Sequence, residues 1–439
     1  MESEQPAPNE GKVLQLVFRA LYHRNYRLFF AGQGVSLIGT WMQQIAMSWL
    51  VYRLTSSAFL LGLIGFSSQI CSLFFSPFAG VLSDRWSRHR ILVATQSLAM
   101  IQAFLLAALT LTHVIAVHHL ILLSVFLGFV NAFDMPTRQA FVVEMVERRD
   151  DLGNAIALNS FLFNGARLVG PSLAGILISL LGEGICFLLN GISFLAVIIA
   201  LLAMKITTHP KDSRKTQVLK EFREGISYAF RFPPIRSILL FLGWISMVGM
   251  GCTTLMPVFA KNILQGGSQT YGFLMAASGL GAVIGAIYLA SRKSVLGLGK
   301  VIAFASAVLG IGLISFSLSN LLWVSYLLLL LIGFGLMVHM ASSNTILQTM
   351  VDDDKRGRVM SLYVMAFMGM SPVGSLVGGS LAGVIGAPYT LMIGGVSCIL
   401  GSFLFTRRLP ALRTMARPIY LRKGIIRQGP GEENTSPDR

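Results

Sequence analysis

GVLSDRWSRHR, residues Gly80 to Arg90, ends one long apolar run and precedes another, ILVATQSLAM. Asp84, Arg85, Arg88, His89 and Arg90 fall within seven positions. A turn so short and so charged, between two apolar segments of membrane length, cannot lie in hydrocarbon, where polar groups find no water. It marks one face of a membrane, and the rest of the chain is oriented from it.

The composition agrees. Of 439 residues, 54% are hydrophobic and only 12% charged, against about 25% charged in an average soluble domain. Such a chain reads as a polytopic membrane protein. A helical span takes about 20 apolar residues. Twelve runs reach that length: 28–52, 58–82, 91–112, 118–137, 155–181 and 184–205, then 236–260, 270–290, 299–318, 321–346, 359–384 and 387–406. The expected fold is an all-α membrane protein with twelve transmembrane helices in two six-helix bundles. The expected segments are a polar 1–26, a bundle over 27–206, a linker over 207–235, a second bundle over 236–407 and a disordered tail over 408–439. In the linker, Val218, Phe222, Ile226 and Phe230 recur every four residues before Pro233 and Pro234, which predicts an amphipathic helix at the membrane surface.

The net charge is +16. In a soluble protein that excess would suggest nucleic acid. Here the positives sit in short loops and read as topology signals, with no nucleic-acid partner. Lys12, Arg19, Arg24, Arg27, Arg85, Arg88, Arg90, Arg138, Arg148, Arg149, Arg292, Lys293, Lys300, Lys355, Arg356 and Arg358 share one side with the linker and the tail. The other side holds little beyond Arg53 and Lys261. The expectation is a multi-pass protein of the inner (plasma) membrane, monomeric, with both termini cytoplasmic. Residues 1–26 carry no short apolar core with a cleavage site, so the first span is expected to act as the insertion signal. Cys71, Cys186, Cys252 and Cys398 lie far apart inside apolar runs and suggest neither a disulfide framework nor a metal site. No cofactor is expected.

The two halves repeat. Gly153, Gly165, Gly170, Gly175 and Gly182 recur at one constant offset as Gly357, Gly369, Gly374, Gly379 and Gly386. Five glycines in register on the fifth helix of each half point to duplication of a six-helix unit, an arrangement that suits a secondary transporter.

With these residues in view, the chain resembles the major facilitator superfamily. Gly80, Asp84, Arg85, Arg88, His89 and Arg90 match the family's signature between helices two and three, with Ser87 where a glycine is usual. The resemblance implies a gating latch: Asp84 meets the start of helix eleven near Val359, and Arg88 meets Asp134 on helix four. The same charges would serve equally to anchor a turn. On helix five, Gly165, Gly170, Pro171 and Gly175 resemble the Gly-Pro motif of antiporters and exporters, or supply a close-packing surface. NAFDMPTRQAFVVEMV followed by LGNAIALNSFLFNGARLVGPSLAG is similar to the branch that includes bacterial enterobactin exporters, the transmembrane secretion effectors. That resemblance runs from Phe18 to Arg408. It departs from drug/proton antiporters in having no arginine between Arg90 and Arg138, which leaves the proton-carrying residue unassigned.

Polar residues within the spans are the remaining candidates, because charge in a bilayer is costly and so functional by default. In the first six runs these are Asp134 and Arg167, with Gln33, Gln43, Gln44, Asn131, Asn159 and Asn164. Gln43, Gln44, Asn131, Asn159, Asn164 and Arg167 are expected to line a central cavity, Arg167 favouring anionic or oxygen-rich substrates. Each amide could equally be interhelical glue. In the second half His339 stands alone as a deep imidazole.

No GxxxxGK[ST] phosphate loop and no enzyme constellation is present, which favours secondary over nucleotide-driven transport. The leading expectation is alternating-access export of a small organic molecule, siderophore-like or hydrophobic drug-like, with a proton gradient as the candidate energy source. A lipid flippase of the same fold and a non-transporting receptor or scaffold stay open.

Overall fold

The computed structural model describes residues 18–146, 148–205, 218–292 and 294–426; the side chains of 76–85, 149, 218–222 and 353–354 lie outside that description. A short 3-10 turn, Arg19–Tyr22, leads into α1 (Arg24–Thr55), α2 (Ala58–Arg85), α3 (Arg88–Leu111), α4 (Val117–Met145), α5 (Leu152–Leu181) and α6 (Glu183–Leu202). The linker helix is α7 (Val218–Arg231). The second half follows with α8 (Pro233–Thr253), continued by Met256–Val258 and a π turn at Phe259–Ile263. Then come α9 (Ser268–Ala290), α10 (Leu298–Leu318) and α11 (Leu322–Met350). Helix α12 opens as Asp353–Val364, passes a π turn at Met365–Gly369 and resumes as Met370–Ile385. Helix α13 (Ala387–Arg422) is the last helix of the described chain.

Eleven of these helices are long and apolar enough to cross a membrane. The expected first span, α1, is 32 residues long but stays outside that set. Its Gln33, Gln43 and Gln44 and its terminal arginines dilute it, although it packs among the others along α5 and α6. Large apolar side chains stand exposed around the bundle, among them Leu180, Ile199, Phe304 and Val384. In water such a surface would aggregate, and in a bilayer it is the solvated face. Exposed Trp86 and Trp323 mark opposite ends, at the level where indole rings sit in headgroups.

Packing repeats between the halves. α1 lies on α5 and α6, α2 on α4, and α3 on α4 and α6; correspondingly α8 lies on α12 and α13, α9 on α11, and α10 on α11 and α13. Across the halves α5 meets α9 and α12 meets α2. The glycines show why. A Cβ on Gly272 would stand 2.8 Å from the Gly175 Cα, and a Cβ on Gly379 would stand 2.7 Å from the Gly62 Cα. The two crossings are pseudo-two-fold mates, and each needs a residue without a side chain so that backbones can touch. The repeat reaches the turns: Gly182 and Gly386 both sit at positive φ, 83° and 87°, where only glycine is unstrained.

One end of the bundle carries the basic residues. There Arg19 Nε and His23 Nε2 each lie 3.0 Å from the Asp151 carboxylate, and Asn25 Nδ2 donates to the Lys205 carbonyl at 2.9 Å. The His23 hydrogen bond is the largest cause holding the Asp151 carboxyl below its ordinary range; burial opposes it, and the charges of Arg19, His23 and Arg148 add to the lowering. At the far end Arg53 grips Glu183 bidentately at 2.8 and 3.1 Å. The amphipathic linker helix forms as expected and docks on the start of α12. Glu224 pairs with Arg358 at 3.0 Å, and Lys355 Nζ lies 4.8 Å from the Tyr228 ring centroid. The tail departs from expectation. It is helical to Arg422 rather than disordered from 408, because Leu409, Leu412 and Ala416 recur at helical spacing and bury against the second half. Residues 427–439 lie outside the described chain.

Candidate functional site

The described contacts between the halves lie in the middle and at the far end. Ser268 Oγ donates to the Gly175 carbonyl at 3.2 Å, Gln269 to Ser179 Oγ at 2.8 Å, and Asn262 to the Tyr52 hydroxyl at 2.7 Å. Trp49 stacks on Tyr271 with centroids 6.2 Å apart, and Lys261 Nζ caps the Tyr52 ring at 5.5 Å. One face of α5 records the change of state along the bundle. Pro171 and Gly175 are buried against α9, and a Cβ on Gly279 would stand 3.0 Å from the Arg167 carbonyl. One to three turns nearer the basic end, Asn164 is half-buried and Phe161, Ser160 and Ala157 are exposed. Along α5, among the described residues, the halves are sealed at the far end and part at Arg167.

Arg167 lies at that boundary. Its guanidinium carbon is 5.9 Å from the Trp41 ring centroid, and Trp41 in turn meets Phe163 edge-on with centroids 5.8 Å apart. Among the described residues no carboxylate pairs with Arg167, and Asp134 pairs instead with Arg138. A cation resting on an indole face keeps its donors available to an incoming acceptor. Trp41 and Phe163 escape a reading of the sequence because aromatics in a span are ordinarily lipid-facing. Their relation to Arg167 needs the crossing of α1 and α5, fixed where a Cβ on Gly170 would stand 2.6 Å from the Trp41 Cβ.

The expected amides divide. Gln43 is buried and does not line a cavity: it donates to Gln102 Oε1 and accepts from Asn190 Nδ2, both at 2.9 Å. Ser193 extends the chain to Asn190 at 3.1 Å, and Gln102 donates to the Leu123 carbonyl at 3.3 Å. Four helices are thus tied by one chain of amides, which is glue in a medium without water. Gln102 and Asn190 were legible as polar residues in apolar runs, but only the packing shows that they converge. Gln44 is exposed, Asn131 and Asn159 are half-buried, and Asn164 donates to the Ser160 carbonyl of its own helix at 2.9 Å. Of the Gly-Pro helix, Gly170, Pro171 and Gly175 sit at close crossings, whereas a Cβ on Gly165 would meet nothing within 4 Å.

The side chains of Asp84 and Arg85, and the position of Gly80 beside its neighbours, fall outside the described residues. Arg90 is exposed. Arg88 reaches Glu144 at 2.8 Å rather than Asp134. Helix α4 runs on to Met145, past the expected 137, so the acid at its end is Glu144 and Asp134 lies about 15 Å deeper. Asp134 is buried instead among residues of its own half. It accepts from Thr95 Oγ1 at 2.9 Å and Gln96 Nε2 at 2.7 Å, and pairs with Arg138 one turn along α4. Three buried polar atoms beside it lack a partner: Gln96 Oε1, Thr137 Oγ1 and Arg138 Nε. Buried groups are satisfied as a rule, so such a cluster marks a place suited to water. In the second half, His339 Nδ1 lies 2.7 Å from Ser306 Oγ, while His339 Nε2 and Ser342 Oγ are unpartnered. No group of three or more metal-ligating side chains occurs among the described residues.

Comparison with known proteins places this geometry. The family model described as transmembrane secretion effector matches residues 17–418. The chain is 28% identical over 387 residues to the staphyloferrin A transporter of Staphylococcus aureus, covering 87% of this chain and 96% of that one. It is 24% identical over 373 residues to the enterobactin exporter EntS of Shigella boydii, covering 84% and 86%. Among solved structures it is similar to a bacterial homologue of the human lysosomal transporter Spinster in an inward-facing, unoccupied conformation. The TM-score there is 0.65 at 14% identity, over 93% of this chain and 99% of that one, a likeness of fold alone.

Proposed function

The chain belongs to the transmembrane secretion effectors of the major facilitator superfamily and is a membrane transporter, not an enzyme; on that premise we propose that it exports a small, oxygen-rich organic anion of the siderophore kind by alternating access. One observation carries the reading: a face of α5 that is sealed at Gly175 and open at Ser160 has an unpaired, aromatic-backed arginine at the boundary. A cation there meets a substrate entering from the open end and is the first group to feel the seal move. The siderophore-named relatives support that substrate class. The loop positives support a cytoplasmic basic end, hence a cytoplasm-open state, both termini inside and a place in the plasma membrane.

Coupling to protons is assigned to Asp134. It is a buried carboxylate paired with Arg138 beside three unpartnered polar atoms, an acid at a place suited to water within the first half. Arg88 on Glu144 forms the part of the latch that the described side chains include.

Proteoliposome flux is the test. Arg167→Ala should lower uptake of an anionic siderophore at least tenfold while insertion and thermal unfolding stay normal. Asp134→Asn should retain downhill flux and lose accumulation driven by an imposed pH gradient. Full transport by Arg167→Ala would end the substrate assignment. Lipid translocation without siderophore flux would favour the flippase.

A further inference from the structure

Between α10 and α13, at the basic end, lies an open groove of about 410 Å³. Its rim carries Lys300 and Arg413, its wall the Thr406 hydroxyl, and its floor Phe304, Leu409 and Pro410. Both cations are exposed, and neither makes an ion pair or hydrogen bond among the described residues. Among the described residues no acidic side chain lines the groove. Phe304 is 66% exposed and Leu409 buried, so the groove has a greasy lower part open to the side of the bundle.

Its depth is set by the helices. Helix α13 starts at the far end with Ala387, and Thr406 lies about 28 Å along it at 1.5 Å per residue, close to the thickness of the hydrocarbon core. Arg413 is a further ~10 Å on, at headgroup level. Lys300 lies in the first turn of α10, which approaches α13 there: a Cβ on Gly299 would stand 2.6 Å from Leu409 Cδ1, and Ser402 Oγ donates to the Ala303 carbonyl at 2.7 Å. Two unpaired cations thus stand at headgroup depth above an apolar slot at acyl-chain depth, while the Thr406 hydroxyl donates to the Ser402 carbonyl of its own helix at 2.8 Å.

We propose that this groove is a binding site for an anionic phospholipid, its phosphate between Lys300 and Arg413 and one acyl chain along Phe304 and Pro410. Charge complementarity selects the headgroup, and the side-opening apolar floor selects a lipid over a soluble anion. The site lies on the outer face of the second half, away from Arg167 and the seal, so it stands or falls independently of the substrate assignment.

Native mass spectrometry of the full chain in detergent, titrated with phosphatidylglycerol or phosphatidylcholine, tests this. Phosphatidylglycerol should bind at least tenfold more tightly. The double variant Lys300→Gln/Arg413→Gln should lose about thirty-fold of that affinity and leave phosphatidylcholine binding unchanged. Arg407→Gln/Arg408→Gln, on the neighbouring surface, should retain the selectivity. Equal binding of the two lipids, or an equal loss in both double variants, would reduce the groove to ordinary annular contact and overturn the proposal. In the unmodified protein, photoreactive phosphatidylglycerol should cross-link chiefly to the segments around Phe304 and Pro410; labels spread evenly around the bundle would overturn it as well.

Discussion

Gly272→Ala would test whether the far-end seal depends on backbone contact. A methyl there stands 2.8 Å from the Gly175 Cα and 3.0 Å from its nitrogen, and closer still to the Pro171 carbonyl. Carbon atoms in contact prefer about 3.5–4.0 Å, so α5 and α9 must part by about 1 Å. All three neighbours are backbone, and no rotamer change can relieve them. The separation stretches the Ser268–Gly175 and Gln269–Ser179 hydrogen bonds, now 3.2 and 2.8 Å, each worth about 1 kcal/mol. Overpacking adds about 1–3 kcal/mol. A total of about 3–5 kcal/mol against the sealed state shifts its population ratio by about 140- to 4,000-fold. Spin labels at the exposed far-end positions Thr112 and Asn320, one in each half, report it through their distance distribution. The variant should gain a longer component. Gly62→Ala should do the same through Gly379, because the two crossings are mates. Unchanged distributions in both folded variants would refute the idea that these glycines hold the seal.

Gln43→Leu leaves the Gln102 oxygen and the Asn190 amide without their shared partner, so thermal unfolding should show a loss of about 1–3 kcal/mol with substrate affinity nearly intact. An affinity loss without a stability loss would return Gln43 to the cavity. Asp151 has a lowered folded pKa, so its contribution to stability is present above the ordinary carboxylate value, about 3.9, and is lost as pH falls through the lowered one. Asp151→Asn should therefore be less stable than the parent at neutral pH and lose less on acidification toward pH ~3, read by unfolding midpoints against pH.

Much of the chain could be read along its length because a bilayer makes local composition decisive. A run of apolar residues must be a helix, whatever it later packs against, since only a helix satisfies its own backbone there. The spans followed from that rule, the basic end from the placement of Lys and Arg, the linker helix from its four-residue apolar period, and the repeat from glycines at a constant offset. The rule works less well where a helix is dilute or runs past its apolar stretch. Thus α1 carries amides, α4 continues to Met145, and α13 continues to Arg422 on the strength of Leu409, Leu412 and Ala416.

Partner choice could not be read that way. Whether Gln43 faces a cavity or an amide chain, whether Arg88 finds Asp134 or Glu144, and whether Arg167 rests on a carboxylate or on Trp41 depend on the depth and rotation of one helix against another. Those are set by where backbones touch, at Gly170, Gly175 with Gly272, and Gly62 with Gly379. The sequence by itself determined that the chain crosses a membrane many times in two related halves, because each helix must satisfy its own hydrogen bonds alone. Only the tertiary structure decided which end is sealed and which polar groups meet, because those follow from contacts between helices far apart in the chain.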